Sequence, residues 1–326
     1  MQPVKSEDFE NQSLKNENNK KCPCSTLQLA IIIIPITVVI LFCAIFIPIY
    51  VKNHDCDEKE ECDNILDESS SNSIDEFEEY IKDYTFATLT PKNGYDTIYI
   101  FLGGITEPSN KYLDFFKSKD TIIPKKTKIY FLSGEMRKIK FMEKWNYFDP
   151  VPCWFNVDSI GNLVCDGCSD KFEEAKKSLN IVLDKIDEIA AEEKMDYKKI
   201  FLGGFSQGGI MTNYVLLNSR HELGGYTAFS GYILDHNFND NSVIPESSLT
   251  DTQKSILESK KNYHILATHS FNDKTVFYPN SVESYYTYYK YYTDFRLYSF
   301  GNLDHEFITQ PVLPVVKTWL KEKMGK

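Results

Sequence analysis

The pattern of apolar and polar positions divides this 326-residue chain into four parts. Residues 1–26 mix Lys, Glu and Asn with few apolar side chains, which predicts a disordered tail. Leu27 to Val51 is an almost unbroken apolar run that carries no charge. As a helix it would span about 37 Å, enough to cross a bilayer with some tilt. Pro35 and Pro48 would kink it, which membrane spans tolerate. A cleaved signal peptide would have a shorter apolar core and a small-x-small site, and neither is present. The run therefore predicts an uncleaved transmembrane anchor over 27–51. Residues 52–84 are acidic and rich in serine, the composition of a flexible tether.

From about residue 85 to 326 the pattern alternates between short apolar runs and longer amphipathic ones. Thr127–Leu132, Tyr226–Ile233 and Phe295–Phe300 read as strands; Asp170–Glu193 and roughly Val312–Met324 read as helices. This alternation predicts one α/β domain with a mostly parallel, twisted sheet and helices on both faces.

The most informative motif is Gly204-Phe205-Ser206-Gln207-Gly208. The apolar run Ile200-Phe201-Leu202 precedes it as a buried strand, and Ile210 to Leu217 follows it as a helix. Strand, Gly-x-Ser-x-Gly and helix together form the context that presents a nucleophilic serine on a strained turn. A plain glycine-rich turn is the alternative. Serine is a weak nucleophile and needs a histidine base oriented by a carboxylate. In α/β-hydrolases these follow the serine, acid first and then histidine.

The chain has six histidines. His54 lies in the acidic stretch, His221 ends the helix after Ser206, and His264 falls inside a strand. His236 follows a strand and stays open on order alone. His305, in the polar loop Gly301-Asn302-Leu303-Asp304-His305-Glu306 after a late strand, is the expected base. Asp273, in the loop after the strand ending near Ala267, is the expected acid. Asp304 is the second choice, because neighbours in sequence rarely face each other. Two backbone N–H groups should hold the oxyanion. Gln207, just after the nucleophile, is one donor. Ile105, in Phe101-Leu102-Gly103-Gly104-Ile105-Thr106 after an early strand, is the other.

With these pieces in place, the chain resembles the acyl-protein thioesterase and phospholipase/carboxylesterase family of α/β-hydrolases. Phe101–Gly104, Val151-Pro152-Cys153-Trp154-Phe155-Asn156-Val157, Gly203–Gly209, Phe229–Tyr232, His269–Val276 and Leu303–His305 carry the likeness, from about Tyr95 to Leu320. It implies Ser206 as nucleophile, Asp273 as acid and His305 as base, with Ile105 and Gln207 donating to the oxyanion. It also implies that Trp154 and Phe155 sit near the acyl site. Two positions depart from the family. Gly103-Gly104 stands where His-Gly is usual, and His269-Ser270-Phe271 where His-Gly-Asp is usual.

The net charge of −11 argues against nucleic acid as a partner. Lys5, Lys15, Lys20 and Lys21 precede the apolar run, against Lys52 and Lys59 after it. The positive-inside bias therefore predicts a cytoplasmic N-terminus and a lumenal or extracellular domain. Cys22 and Cys24, before the span, are candidates for S-palmitoylation or unmodified thiols. After the span lie Cys56, Cys62, Cys153, Cys165 and Cys168. A Cys56–Cys62 disulfide and one pair among the other three are expected in such a compartment. Cys165-Asp166-Gly167-Cys168 lacks a partner motif for zinc, which favours a structural role. Tyr285–Tyr292 holds six tyrosines, read as an amphipathic helix or as a lipid-contacting surface.

Taken together, the sequence predicts a membrane-anchored serine hydrolase. Its substrates would be carboxylic esters or thioesters of small molecules, lipids or proteins, and it implies no metal or cofactor. The alternative is a silent α/β-hydrolase fold acting as a tethered binding module.

Overall fold

The computed structural model describes residues 77–325 apart from 119–120, 160–161, 235–250, 302 and 308–311. The apolar run over 27–51, the tail before it, and His54, Cys56, Cys62 and His236 lie outside the described residues. Among the described residues no helix is long and apolar enough to cross a membrane.

The frame is an eight-stranded sheet. In chain order its strands are β1 (Phe77–Ile81), β2 (Phe86–Pro91), β3 (Thr97–Leu102) and β4 (Thr127–Leu132), then β5 (Ile200–Phe205), β6 (Gly225–Phe229), β7 (His264–Ser270) and β8 (Asp294–Phe300). Their spatial order is β1-β2-β4-β3-β5-β6-β7-β8. The first two strands pair antiparallel and β4 through β8 pair parallel. The principal helices are α1 (Glu173–Glu193), α2 (Gln207–Asn218), α3 (Asp251–Ser259), α4 (Tyr278–Tyr291) and α5 (Leu313–Met324). The outcome is the mostly parallel sheet expected from the alternation.

Strands β3 and β5 are buried at every residue, because apolar layers cover both faces of the sheet. That is why they read as unbroken apolar runs. One layer centres on α1, α2 and α4; the other, around Phe101, Phe116, Phe131 and Trp319, includes α5. In α1, Ala175, Leu179, Val182, Ile186 and Ile189 form the buried stripe at helical spacing.

Three boundaries differ from the sequence reading for physical reasons. The stretch 52–84 reads as tether throughout, yet Phe77–Ile81 is the edge strand β1, paired with β2. Its residues after Phe77 are all exposed, so the strand carries the acidic, solvated pattern of a linker. Helix α1 begins at Glu173 rather than Asp170, because Asp170 accepts the N–H of Phe172 at 2.9 Å. Strand β6 ends at Phe229 rather than Ile233, because Ser230 turns to φ 50°. Cys165 and Cys168 form a disulfide, which leaves Cys153 a buried free thiol. The tyrosine-rich segment belongs to α4 and is amphipathic: Tyr285, Tyr288 and Tyr292 are buried, Tyr286 and Tyr289 exposed.

Candidate active site

The site lies at the C-terminal ends of β3, β5, β7 and β8. Ser206 alone separates β5 from α2 and takes φ 54°, ψ −120°. A side chain costs energy in this region, so packing has to impose it. Ser206 N–H donates to Phe229 O at 2.9 Å, and Ile210 N–H donates to Ser206 O at 3.0 Å. A Cβ on Gly204 would lie 2.3 Å from Gly208 O, and one on Gly208 would lie 2.1 Å from Leu102 O. Backbone packs directly on backbone at both positions, which only glycine permits.

His305, from the loop after β8, places Nε2 2.7 Å from Ser206 Oγ and Nδ1 2.7 Å from Asp273 Oδ2. A carboxylate can only accept, so Nδ1 carries the proton and Nε2 accepts from the serine hydroxyl. The imidazole stacks on Phe205 with a centroid separation of 4.9 Å. Asp273 Oδ1 accepts the N–H groups of Thr275 and Val276 at 2.9 and 2.7 Å. Burial pushes the Asp273 pKa up, but hydrogen bonds from His269 and His305, the His305 charge and the Val276 N–H outweigh it. The net effect holds this carboxyl well below the usual carboxylate range.

His269 was named in the sequence only as part of the family likeness. It is fully buried, with Nε2 2.8 Å from Val276 O and 3.2 Å from Asp273 Oδ2. His269 and His305 therefore meet the same oxygen of the Asp273 carboxylate. The four-residue spacing from His269 to Asp273 was visible; their convergence was not. Asp304 accepts the N–H groups of Lys274 and His305 at 3.1 and 2.9 Å, and so ties the two loops together. His221 stacks on Tyr197 and His264 pairs with Asp294, both away from Ser206.

Gln207 is the first residue of α2, where an N–H has no intrahelical acceptor and the helix dipole favours negative charge. On the opposite loop, a Cβ on Gly104 would lie 3.3 Å from Ser206 Cβ, so this backbone borders Ser206. Ile105 follows it, half-buried against the core, and Thr106 N–H is fixed to Pro152 O at 2.8 Å. Trp154 and Phe155, expected beside the acyl group, are almost wholly buried and link these two segments. Trp154 Nε1 donates to Gly103 O at 2.9 Å and its backbone N–H donates to Gln207 Oε1 at 2.8 Å. Gln207 Nε2 donates to Phe155 O at 2.8 Å. Cys153, beside them, has its thiol pKa pushed up to about 12 by burial and is no competing nucleophile. Among the described residues no group of histidine, cysteine or carboxylate side chains is arranged to hold a metal ion.

Comparison with known proteins agrees with this geometry. Residues 100–321 match the family model described as phospholipase/carboxylesterase. A probable carboxylesterase SOBER1-like protein of Arabidopsis thaliana is 27% identical over 207 residues, which are 60% of this chain and 72% of the relative. Acyl-protein thioesterase 1 homolog 1 of Dictyostelium discoideum is 33% identical over 101 residues, 30% of this chain and 43% of the relative. The fold matches the crystal structure of Arabidopsis thaliana SOBER1 with a TM-score of 0.53 at 20% identity, covering 70% of this chain and 99% of that one. It also matches Zea mays acyl-protein thioesterase 2 with a TM-score of 0.55 at 15% identity, covering 74% and 99%. A serine turn of this geometry, on a sheet of this order, within a family match that spans the site, shows that the chain belongs to the phospholipase/carboxylesterase family of α/β-hydrolases.

Proposed function

We propose that this chain is a membrane-anchored serine hydrolase that cleaves carboxylic esters or thioesters through Ser206, His305 and Asp273. The observation that carries the reading is the continuous hydrogen-bonded relay from Ser206 Oγ through His305 to Asp273. Ser206 attacks the acyl carbonyl while His305 Nε2 takes its proton. Asp273 keeps the imidazole in the tautomer that can do so, and its negative charge stabilises the imidazolium. The carbonyl oxygen becomes an oxyanion held by the backbone N–H groups of Gln207 and Ile105. His305 returns the proton to the leaving alcohol or thiol. It then activates water to release the acid from the acyl-enzyme.

The acyl-protein thioesterase relatives favour acylated proteins or lipids as substrates. The apolar run over 27–51 supports a single-pass anchor, and the lysine bias supports a cytoplasmic N-terminus with the hydrolase lumenal or extracellular. Palmitoylated cytoplasmic proteins would then be out of reach.

The test uses the full chain in detergent micelles with p-nitrophenyl esters from acetate to palmitate and a palmitoyl thioester, beside Ser206→Ala. Turnover that vanishes in the variant supports the esterase, and the chain-length profile sizes the acyl pocket. Equal background rates in both folded proteins would leave only the tethered binding module.

A further inference from the structure

The serine relay leaves unused a cavity at the other end of the sheet. Strands β3, β4 and β5 run parallel. Ser206 follows the last residue of β5, whereas Lys125 lies just before the first residue of β4, so the two stand at opposite ends. Beside Lys125 is a cavity of about 420 Å³, within the ~300–1,000 Å³ of small-molecule sites. Ile122 and Ile123, both buried, and the half-buried Phe77 give it apolar walls. Lys117, Lys125, Lys317 and Lys321 also line it, and no carboxylate does among the described lining residues. Lys117 pairs with Glu79 and Asp114, at 2.5 and 3.0 Å, outside that lining. Lys317 and Lys321 stand one turn apart on α5, where like charges repel. This concentration of positive charge belongs to a chain of net charge −11.

A lysine lays its methylene stem on apolar surface and keeps its ammonium group in water. Apolar walls below a rim of ammonium groups match a ligand of the same polarity, an alkyl chain that ends in an anion. We propose that this cavity binds a long-chain fatty-acid carboxylate, its chain against Phe77, Ile122 and Ile123 and its head between Lys317 and Lys321. Each methylene moved out of water strengthens such binding by about fourfold. The carboxylate relieves the repulsion between the two α5 lysines. A small inorganic anion would leave the apolar walls uncovered, and the volume holds one chain rather than the two of a diacyl lipid. The site uses neither Ser206 nor His305 and so goes beyond the esterase reading. An esterase of long-chain substrates releases this class of molecule, which gives its product a second place to bind.

The test uses the full chain carrying Ser206→Ala, in phosphatidylcholine nanodiscs, and a dodecanoic acid probe with a diazirine on its chain. After irradiation, mass spectrometry locates the cross-linked peptides. The expected result is saturable labelling within residues 117–125 or 313–324, which unlabelled laurate suppresses and butyrate at the same concentration does not. Lys317→Gln/Lys321→Gln, at two exposed positions, should raise the half-saturating probe concentration at least about tenfold with an unchanged thermal midpoint. Lys198→Gln/Lys199→Gln, also exposed, should leave it within about twofold. Labelling confined to other segments, or equal half-saturation in the α5 variant and its parent, overturns the proposal. So does an equal loss in both lysine variants, which would show attraction to overall charge, or butyrate competing as well as laurate. Because the nucleophile is absent throughout, none of these outcomes bears on the esterase reading, which the Ser206→Ala rate comparison tests by itself.

Discussion

Ser206 and Gly104 stand at the ends of neighbouring strands, β5 and β3, yet the two turns are built differently. The serine turn is shaped by glycines within one contiguous strand, turn and helix: Gly204 lets the segment fold on itself and Gly208 lets it pack on Leu102. The Gly104 turn is held from elsewhere in the chain. Trp154, Ser133 and Pro152 bind its backbone, and Glu107 takes its N–H. A steric device inside one segment leaves a motif in the sequence. A turn held by hydrogen bonds from distant residues leaves little more than a pair of glycines.

The sharpest break on the serine side is Ser206→Ala. It should lower kcat by about 10⁴-fold or more with little change in thermal midpoint, measured by ester hydrolysis and thermal unfolding. Unchanged turnover would remove the nucleophile and the comparison with it. Asp273→Asn should cost about 10⁴-fold in kcat, because the amide stabilises the wrong histidine tautomer. A loss under tenfold would point to another acid. Gly208→Ala would drive a Cβ to 2.1 Å from Leu102 O and should destabilise the fold by more than about 3 kcal/mol in urea titration. A stable variant would show that the serine turn is looser than its backbone contacts indicate.

On the Gly104 side, Trp154→Phe keeps one aromatic ring but removes the bond to Gly103 O and leaves a small void. The expectation is a loss of about 2 kcal/mol of stability and a roughly tenfold lower kcat, with KM little changed. An unaffected kcat would show that the loop keeps its geometry without this strut. The smallest effect concerns pH. The Asp273 pKa is lowered in the folded chain, so its stabilisation is fully present above the unfolded value near 3.9. It declines as pH falls below that value and is lost once pH has passed through the lower folded one. Urea titrations of wild type and Asp273→Asn should therefore differ most at neutral pH and converge below about pH 4. A gap that widened on acidification would reverse the sign of the argument.

Legibility followed the same division. The strands flanking Ser206 and the helix after it were readable because a buried parallel strand is an apolar run and its turn demands glycine. His305 and Asp273 were readable through chain order and loop position, since both follow late strands. Glu107 and the part played by His269 were not readable. A lone glutamate in a loop has many uses, and a histidine in a strand more often packs than orients an acid. Trp154 was placed near the site, but its work as a tie between two turns depends on hydrogen bonds to Gly103 and Gln207, which no local pattern records. The edge strand β1 reads as linker in the sequence because its exposed residues carry no apolar alternation.

The sequence by itself determined the elements whose cause is local: buried strands from apolar runs, α1 from its stripe, the strained serine from its glycines. Tertiary structure decided which distant side chains meet. It closed a sequence separation of 32 between Asp273 and His305 to 2.7 Å, and one of 99 between Ser206 and His305 to the same distance. It also put a carboxylate on the N–H of Gly104. The physical reason is range. Steric exclusion at a tight turn demands glycines at fixed spacing and so marks the sequence, whereas hydrogen bonds across the site exist only once the sheet has brought its strand ends together.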